Sequence, residues 1–205
     1  MPSEQVRQIA SADFPSRWGK FRIYGFRGEF GTAGSPRDED AVALGMGDIH
    51  SAPPLLRIHS QCLTGDVFGS LRCDCRQQLE MALSLIADSG AGVLLYEQQE
   101  GRGIGLMAKL QAYELQDAGL DTVEANERLG FKADHREFTL PAEMLKALGI
   151  TEVRLLSNNP DKVAALEQAG VKVVERVPCE VAHSPHAEEY LKTKKEKLGH
   201  LFSSR

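Results

Sequence analysis

Residues 153–177 read VRLLSNNPDKVAALEQAGVKVVERV, and this stretch decides the fold class. Its pattern predicts a strand over 153–156, a helix over 161–168 that ends before Gly170, and a second strand over 171–177. A strand, a helix and a strand in so short a stretch form a βαβ unit, whose two strands run parallel. We therefore expect a parallel pair of strands in this part of the protein.

Strands and helices alternate towards the N-terminus as well. Residues 93–96 form a continuous apolar run, which is typical of a strand that is covered on both faces. Helices are predicted on either side of it, between the N-cap residue Asp74 and Gly90, and from about 106 to 119. A last helix is predicted over 188–198. Its lysines are expected to form a solvated face: Lys192, Lys194, Lys195 and Lys197.

The N-terminal part has the pattern of an antiparallel sheet. Residues 19–30 alternate between apolar and polar, which indicates a half-buried strand, and residues 41–49 are a plausible partner. We predict that residues 1–17 are an N-terminal extension and that residues 31–40, rich in glycine, proline and charge, are a surface loop. The chain 1–205 is predicted to be a single α/β domain with a mixed sheet flanked by helices.

Composition excludes several classes of protein. With 42% hydrophobic residues and a net charge of -5, the 205-residue chain is not disordered throughout. No apolar run reaches the roughly 18–20 residues that a membrane span needs, and the N-terminus lacks the features of a secretory signal. A pI of about 5.7 argues against nonspecific nucleic-acid binding. We expect a cytoplasmic protein with neither nucleic acid nor a membrane as a partner.

Three of the four cysteines are clustered. Cys62, Cys73 and Cys75 have the spacing C-x10-C-x-C, and in a reducing compartment such a cluster is typical of a metal site. Three thiolates select zinc. With His59 as a fourth ligand the site would be structural, whereas water in that position would make it catalytic. Buried cysteines without a metal are the alternative, and the spacing leaves all three readings open.

Polar and cationic residues follow three predicted strands at their carboxyl ends, where ligands bind in open α/β sheets. These residues are Arg57, the segment 100–103 (EGRG), and Ser157 with Lys162. Glycines allow close approach of a ligand, and a helix N-terminus attracts anions. The pattern favours a polyanionic ligand, with Glu100 facing N–H donors such as a guanine edge. A plain strand–helix turn and a surface ion pair of Glu100 are the alternatives.

Residues 121–136 are polar and lack a regular period, which predicts a long connection of a kind that is often functional. Within it, Asp134 and Arg136 are either a base and a cation of a site or a surface ion pair. The residues alone leave both readings open.

Several motifs resemble GTP cyclohydrolase II, a family of riboflavin biosynthesis. The main ones are RIHSQCLTGD at 57–66, SLRCDC at 70–75 and QEGRGIGL at 99–106. Shorter matches are YELQD at 113–117, DTVEAN at 121–126, LGF at 129–131, LLSNNP at 155–160 and GHL at 199–201. The resemblance runs from about residue 18 to the end of the chain.

The resemblance implies an enzyme that hydrolyses GTP to formate, pyrophosphate and 2,5-diamino-6-ribosylamino-4(3H)-pyrimidinone 5′-phosphate. It implies a catalytic zinc ion, with His59 not a ligand; the zinc ligands correspond to Cys62, Cys73 and Cys75. The proposed nucleophile towards the α-phosphate corresponds to Arg136, the acidic general base to Asp134, and the tyrosine near the purine ring to Tyr113. Magnesium is expected, bound largely through the triphosphate, and a homodimer is expected from the family.

The resemblance also implies a set of nucleotide contacts. They correspond to Arg57, Ile58, His59, Ser60, Gln61, Gln78, Glu100, Gly101, Arg102, Thr122, Ser157 and Lys162. Two positions depart from the family pattern. Gln61 replaces a usual glutamate and so removes a negative charge, whereas Ser157 replaces a frequent threonine and keeps the hydroxyl group.

Two other functions share part of this pattern: an enzyme that stops at a formylated pyrimidine, and a nucleotide-binding protein with a structural zinc ion and no turnover. The presence of Tyr113 counts against the first rival. Asp134, Arg136 and Tyr113 together count against the second.

Overall fold

A mixed β-sheet and six α-helices make up the part of the chain that the computed structural model describes, residues 5–32, 35–132, 135–182 and 184–202. The strands are β1 (Gln5–Ser16), β2 (Gly19–Thr32), β3 (Ser35–Met46), β4 (Leu55–Ser60), β5 (Gly92–Glu97), β6 (Glu152–Leu156) and β7 (Lys172–Val177). The helices are α1 (Cys75–Ser89), α2 (Leu106–Asp117), α3 (Thr122–Arg128), α4 (Thr139–Ala147), α5 (Pro160–Gln168) and α6 (Glu188–Glu196).

The seven strands lie in the order β1-β2-β3-β5-β4-β6-β7. The first three strands and β5 pair antiparallel, whereas β4 pairs parallel with β5 and β6, and β6 pairs parallel with β7. This confirms the predicted α/β class, the mixed sheet and the βαβ unit. The side chain of Asn159 begins α5 by accepting the N–H of Asp161 at 2.9 Å, and Gly170 follows the helix with a φ of +85°.

Both faces of the central strands are buried. Successive residues such as Leu94 and Leu95 point to opposite faces and are 1% and 0% exposed. Helix α1 covers one face, and α4 and α5 cover the other. The carboxyl ends of β4, β5 and β6 therefore meet at one edge of the sheet, each held by two packed layers. No helix within the described ranges is long and apolar enough to cross a membrane.

Residues 31–40 differ from the predicted surface loop. Residues 31–32 end β2 and residues 35–40 begin β3, while residues 33–34 lie outside the described residues. Polar sequence is compatible with a strand here because an antiparallel ribbon can face solvent, where Arg27 and Asp40 form a cross-strand ion pair at 2.7 Å. In the predicted extension 1–17, residues 5–16 form β1, an outer strand of the sheet.

The polar segment 121–136 is not an irregular connection throughout, because it contains α3. Asp121 accepts the backbone N–H groups of Val123 and Glu124, and the Glu124 side chain accepts the N–H of Asp121. This reciprocal capping box starts the helix although the segment has little apolar periodicity. Helix α4 was not predicted at all.

Candidate active site and metal centre

The three clustered cysteines meet at the edge where β4 ends. Cys62 follows β4, Cys73 lies in the next loop, and Cys75 is the first residue of α1. Their Sγ atoms all lie within 4.8 Å of one another, and those of Cys62 and Cys73 are 3.7 Å apart. A tetrahedral zinc site with Zn–S bonds of about 2.3 Å separates its sulfurs by about 3.8 Å. The donor chemistry and spacing therefore fit a soft divalent metal.

A single π-helical turn, Leu63–Val67, brings the backbone against the sulfurs. A Cβ atom on Gly65 would lie 2.9 Å from the Cys73 Sγ and 3.1 Å from the Cys62 Sγ, so the glycine makes room for the sulfur cluster. Asp66 fixes the turn by accepting hydrogen bonds from the backbone N–H of Cys62 at 3.0 Å and from the hydroxyl of Tyr96 at 2.9 Å.

His59 does not join the cysteines. Its Nε2 atom lies 3.1 Å from Asp66 Oδ1, and its buried Nδ1 atom has no hydrogen-bond partner within the described ranges. Burial holds the pKa of His59 below its usual value, although Asp66 opposes that shift. Within the described residues, the group that can hold a metal consists of Cys62, Cys73 and Cys75 alone.

Lys109 of α2 contacts the sulfur cluster. Its ammonium group donates to the Cys62 Sγ at 3.1 Å and to a carboxylate oxygen of Glu100 at 2.7 Å. Burial lowers the pKa of Lys109, but the charge of Cys62 and the hydrogen bond to Glu100 raise it above its usual value. Hydrogen bonding to Cys73 and Cys75 holds the pKa of Cys62 below its usual value, and the contact with Cys62 raises the pKa of Cys73 to about 11. The Lys109 ammonium group beside Cys62 favours the thiolate form of that cysteine.

Tyr113 lies one turn after Lys109 on α2 and faces the same space. Its hydroxyl is 3.1 Å from Thr64 Oγ1, and burial raises its pKa, so the phenol stays protonated near neutral pH. We call this space, lined by Cys62, Cys73, Glu100, Lys109 and Tyr113, the thiol cavity. Gln61, Gly101 and Thr122 also line it.

The segment after β5 is a tight turn, Glu100–Gly103. Glu100 is buried and accepts the backbone N–H groups of Leu63 at 2.7 Å and Gly101 at 3.0 Å, so it joins this turn to the loop after Cys62. The predicted alternative of a surface ion pair is wrong, because the pair of Glu100 with Lys109 is buried.

Arg102 has φ 62° and ψ 36°, and among the described residues it is the one non-glycine residue with positive φ. This left-handed conformation costs about 1–2 kcal/mol. Both terminal nitrogens of its guanidinium group are buried without a hydrogen-bond partner in the described part of the chain. Strain and an unsatisfied cation at one residue are typical of a ligand site.

A second space, the cationic cavity, is lined by Arg57, Arg102, Arg136, Lys162 and Lys194. Arg57 is held by Gln78 Oε1 at 2.7 Å and by the Leu156 carbonyl at 3.1 Å. Lys162 is 4% exposed and donates to the Ile58 carbonyl at 2.8 Å. No carboxylate side chain lines this cavity within the described residues, so its cations give it a positive charge. A cavity of this charge can bind a polyanion.

Most of the predicted nucleotide contacts line one or both of the two cavities. His59, Gln78 and Ser157 line the cationic cavity, whereas Ser60 and Arg102 line both, as does the predicted catalytic residue Arg136. Ile58 is the exception, because its side chain is fully buried in the core and its carbonyl is taken by Lys162. Asp134, the predicted general base, lies outside the described residues.

Several residues of the site were missed by sequence reasoning. They are Thr64, Asp66, Tyr96, Lys109, Tyr190, Lys194 and His200. Lys109 could have been found, because it precedes Tyr113 by four residues and so shares its face of α2. Lys194 was predicted to be solvated, which is wrong: it is 8% exposed and pairs with Asp74 at 2.8 Å.

The fold and the site together define an α/β enzyme in which three thiols that can hold a metal adjoin a pocket rich in buried cations. The sequence model of the GTP cyclohydrolase II family matches residues 7–178. The chain is 56% identical over 200 residues to the GTP cyclohydrolase-2 of Cronobacter sakazakii, covering 97% of this chain and 98% of that protein. It is 55% identical to the GTP cyclohydrolase-2 of Escherichia coli O9:H4, covering 97% and 99%. The protein belongs to the GTP cyclohydrolase II family.

Among solved structures, the chain is similar to RibBX, a two-domain 3,4-dihydroxy-2-butanone 4-phosphate synthase from A. baumannii. The TM-score is 0.39 and the identity 18%, over 76% of this chain and 35% of that one.

Proposed function

We propose that the protein catalyses the first committed step of riboflavin biosynthesis, in which GTP is hydrolysed at C8 of the guanine ring. The products are formate, pyrophosphate and 2,5-diamino-6-ribosylamino-4(3H)-pyrimidinone 5′-phosphate. The observation that carries the proposal is the thiol cluster at the edge of a cation-lined cavity, in a chain related over nearly its full length to proteins named GTP cyclohydrolase-2.

Cys62, Cys73 and Cys75 would hold a zinc ion, which the spacing of their sulfurs accommodates. When bound, zinc supplies a Lewis acid that activates water for attack on C8. The protein's own part is to orient the purine and to hold protons beside it. Tyr113 keeps its proton near neutral pH and lines the thiol cavity, so it is placed to donate a hydrogen bond to the opening ring.

The triphosphate would occupy the cationic cavity, with magnesium bound largely through the phosphates. Arg57, Arg102 and Lys162 would neutralise its charge. Arg136 lines both cavities, where it would stabilise the charge that develops when pyrophosphate leaves. A covalent role is disfavoured because a guanidinium group stays protonated and lacks a free lone pair. Asp134 remains the predicted general base.

Product analysis tests the proposal most directly. The protein is incubated with GTP and magnesium, and the products are identified by mass spectrometry. Formate, pyrophosphate and the diaminopyrimidine support it, whereas unchanged GTP contradicts it. A formyl-bearing product would show that the ring opens but that the second hydrolysis fails.

The metal assignment has a matched pair of variants. Cys73→Ser is expected to lose bound zinc and formate release. Cys179→Ser is the control, because Cys179 is buried in the core away from the cluster and is expected to keep both. Full turnover in a zinc-free sample would contradict the assignment.

We propose further that the protein acts as a homodimer. Strand β1 is an outer strand of the sheet, and its side chains Ile9 and Phe14 are 61% and 37% exposed. A long outer strand with exposed apolar residues is usually covered. Sedimentation velocity distinguishes a dimer from a 22.5 kDa monomer. The cytoplasmic location and the absence of a nucleic-acid partner stay predictions from the sequence.

A further inference from the structure

The C-terminal helix α6 closes the site from a part of the chain that the family match does not reach. The match ends at residue 178, whereas α6 begins at Glu188. Lys194, on the buried face of α6, donates a hydrogen bond to Asp74 Oδ1 at 2.8 Å. Asp74 is the residue between Cys73 and Cys75 in the sequence. The turn after α6 is also fixed, because the N–H of Leu201 donates to the Asn158 carbonyl at 2.8 Å.

The ion pair of Lys194 with Asp74 anchors helix α6 to the segment that carries Cys73 and Cys75. Both side chains are buried, at 8% and 3% exposure, and Gln78 donates a further hydrogen bond to Asp74 at 2.5 Å. Removing one partner of such a pair leaves an uncompensated buried charge, which is strongly unfavourable. Helix α6 is therefore held against the site rather than lying loosely over it.

Tyr190, one turn before Lys194, stands where the thiol cavity and the cationic cavity meet. The side chains that line both cavities are Ser60, Cys75, Arg102, Arg136 and Tyr190, and Tyr190 is the aromatic one among them. Its ring centre is 4.5 Å from the Lys194 Nζ and 5.5 Å from the Arg102 guanidinium carbon. These two cations fix the ring in place.

A nucleoside triphosphate with its base in the thiol cavity and its phosphates in the cationic cavity has to pass its ribose through this junction. The unpartnered guanidinium nitrogens of Arg102 point to an anionic ligand at the same place. We propose that Tyr190 is a substrate-binding residue whose ring packs against the ribose of GTP, and that Lys194 is the positioning residue that holds it there. This inference rests on the proposed function, since it takes GTP as the ligand.

Steady-state kinetics on full-length, zinc-loaded variants test the role of the ring. Tyr190→Leu is expected to raise KM for GTP at least tenfold, with kcat within about threefold of the parent protein and with unchanged bound zinc. Tyr190→Phe keeps the ring and is expected to restore KM to within about threefold. No rise in KM for the leucine variant, or an equal rise in both variants, overturns the assignment.

Two neighbouring lysines of α6 test the anchor. Lys194→Met is expected to raise KM as Tyr190→Leu does, whereas Lys195→Met, at an exposed position of the same helix, keeps the parent constants. Equal KM values for the two lysine variants overturn the role of Lys194. If the parent protein does not turn over GTP at all, the proposed function fails. If the parent turns over GTP normally and the Tyr190 variants match it, only the present inference fails.

Discussion

Lys109 places a positive charge directly against a ligand sulfur of the candidate metal centre. Zinc with three thiolates carries a net negative charge, which weakens its action as a Lewis acid. The ammonium group 3.1 Å from the Cys62 Sγ withdraws electron density from that sulfur and also holds Glu100. Groups that contact a metal ligand in this way typically affect metal affinity or activity by about 10–100-fold.

We therefore expect Lys109→Met to lower kcat for GTP by about tenfold or more. In the cobalt-substituted protein, the sulfur-to-cobalt charge-transfer band is expected to shift, since Cys62 becomes a stronger donor. Lys146→Met is the control, because that lysine forms an exposed pair with Glu143 on α4. A cobalt spectrum and a kcat equal to those of the control would show that Lys109 does not tune the centre.

Gly65 is the second residue that we expect the candidate metal centre to require. An alanine there would bring a methyl group to 2.9 Å from the Cys73 Sγ, 3.1 Å from the Cys62 Sγ and 3.2 Å from the Cys75 Cβ, so the sulfur cluster would have to shift. We expect Gly65→Ala to weaken zinc binding at least tenfold in a chelator competition. Gly25→Ala is the control, since no atom lies within 4 Å of its added Cβ. Unchanged zinc affinity in the first variant would contradict this reading.

At the scale of elements, α3 shows how a cap supports the site. It has only seven residues, and Thr122, a predicted nucleotide contact, is its first. The Asp121 side chain accepts two backbone N–H groups of the helix and also pairs with Lys197, which follows α6. Such a cap contributes about 1 kcal/mol.

Asp121→Ala is accordingly expected to lower the free energy of unfolding by about 1 kcal/mol. We also expect a small rise in KM for GTP, because the helix turn that carries Thr122 loses its cap. Urea denaturation measures the first effect. Glu127→Ala, at an exposed position of α3, serves as the control and is expected to change neither quantity. Equal stability of the two variants would mean that the capping box contributes nothing.

The elements that could be predicted from the sequence are those with a strong local signal. The βαβ unit could be predicted because its apolar strands, the Asn159 cap and Gly170 are all signals that act within a few residues of the chain. Residues 35–40 were missed because their polarity suits a loop, and only the pairing of β3 with β2 makes them a strand. The burial of Lys194 was missed for the same kind of reason, since its partner Asp74 is 120 residues away.

The candidate metal ligands could be predicted from their spacing in the sequence more directly than the rest of the site. Cys62, Cys73 and Cys75 are close in sequence, so their spacing alone suggested a shared ion.

The side chains of the cationic cavity come from five parts of the chain. These are strand β4, the turn that follows β5, the segment that precedes α4, helix α5, and helix α6. The strand-end pattern predicted that Arg57, Arg102 and Lys162 converge. Arg136 was assigned to the site only by the resemblance, and Lys194 was missed.

The whole molecule is acidic, with a net charge of -5, although its site concentrates buried cations. Two histidines share this environment. Burial and the neighbouring Lys194 hold the pKa of His200 at about 3, and burial holds that of His59 below its usual value. In the unfolded chain both titrate near 6.5. Below about pH 6.5 the unfolded chain therefore binds more protons than the folded protein, and stability falls as the pH is lowered.

The fall in stability at low pH can be tested on the complete protein. We expect the urea midpoint to be lower at pH 5 than at pH 7.5, because His200, with a folded pKa of about 3, stays neutral in the folded protein and becomes charged on unfolding. The lowered pKa of His59 acts in the same direction. His200→Asn is expected to reduce the difference between the two pH values, because it removes one of the two linked protons. His50→Asn, at an exposed position, should leave the difference as it is. Comparing the two variants cancels the separate effect of acid on the thiol cluster. An equal pH dependence in both would show that His200 binds a proton as readily in the folded protein as in the unfolded chain.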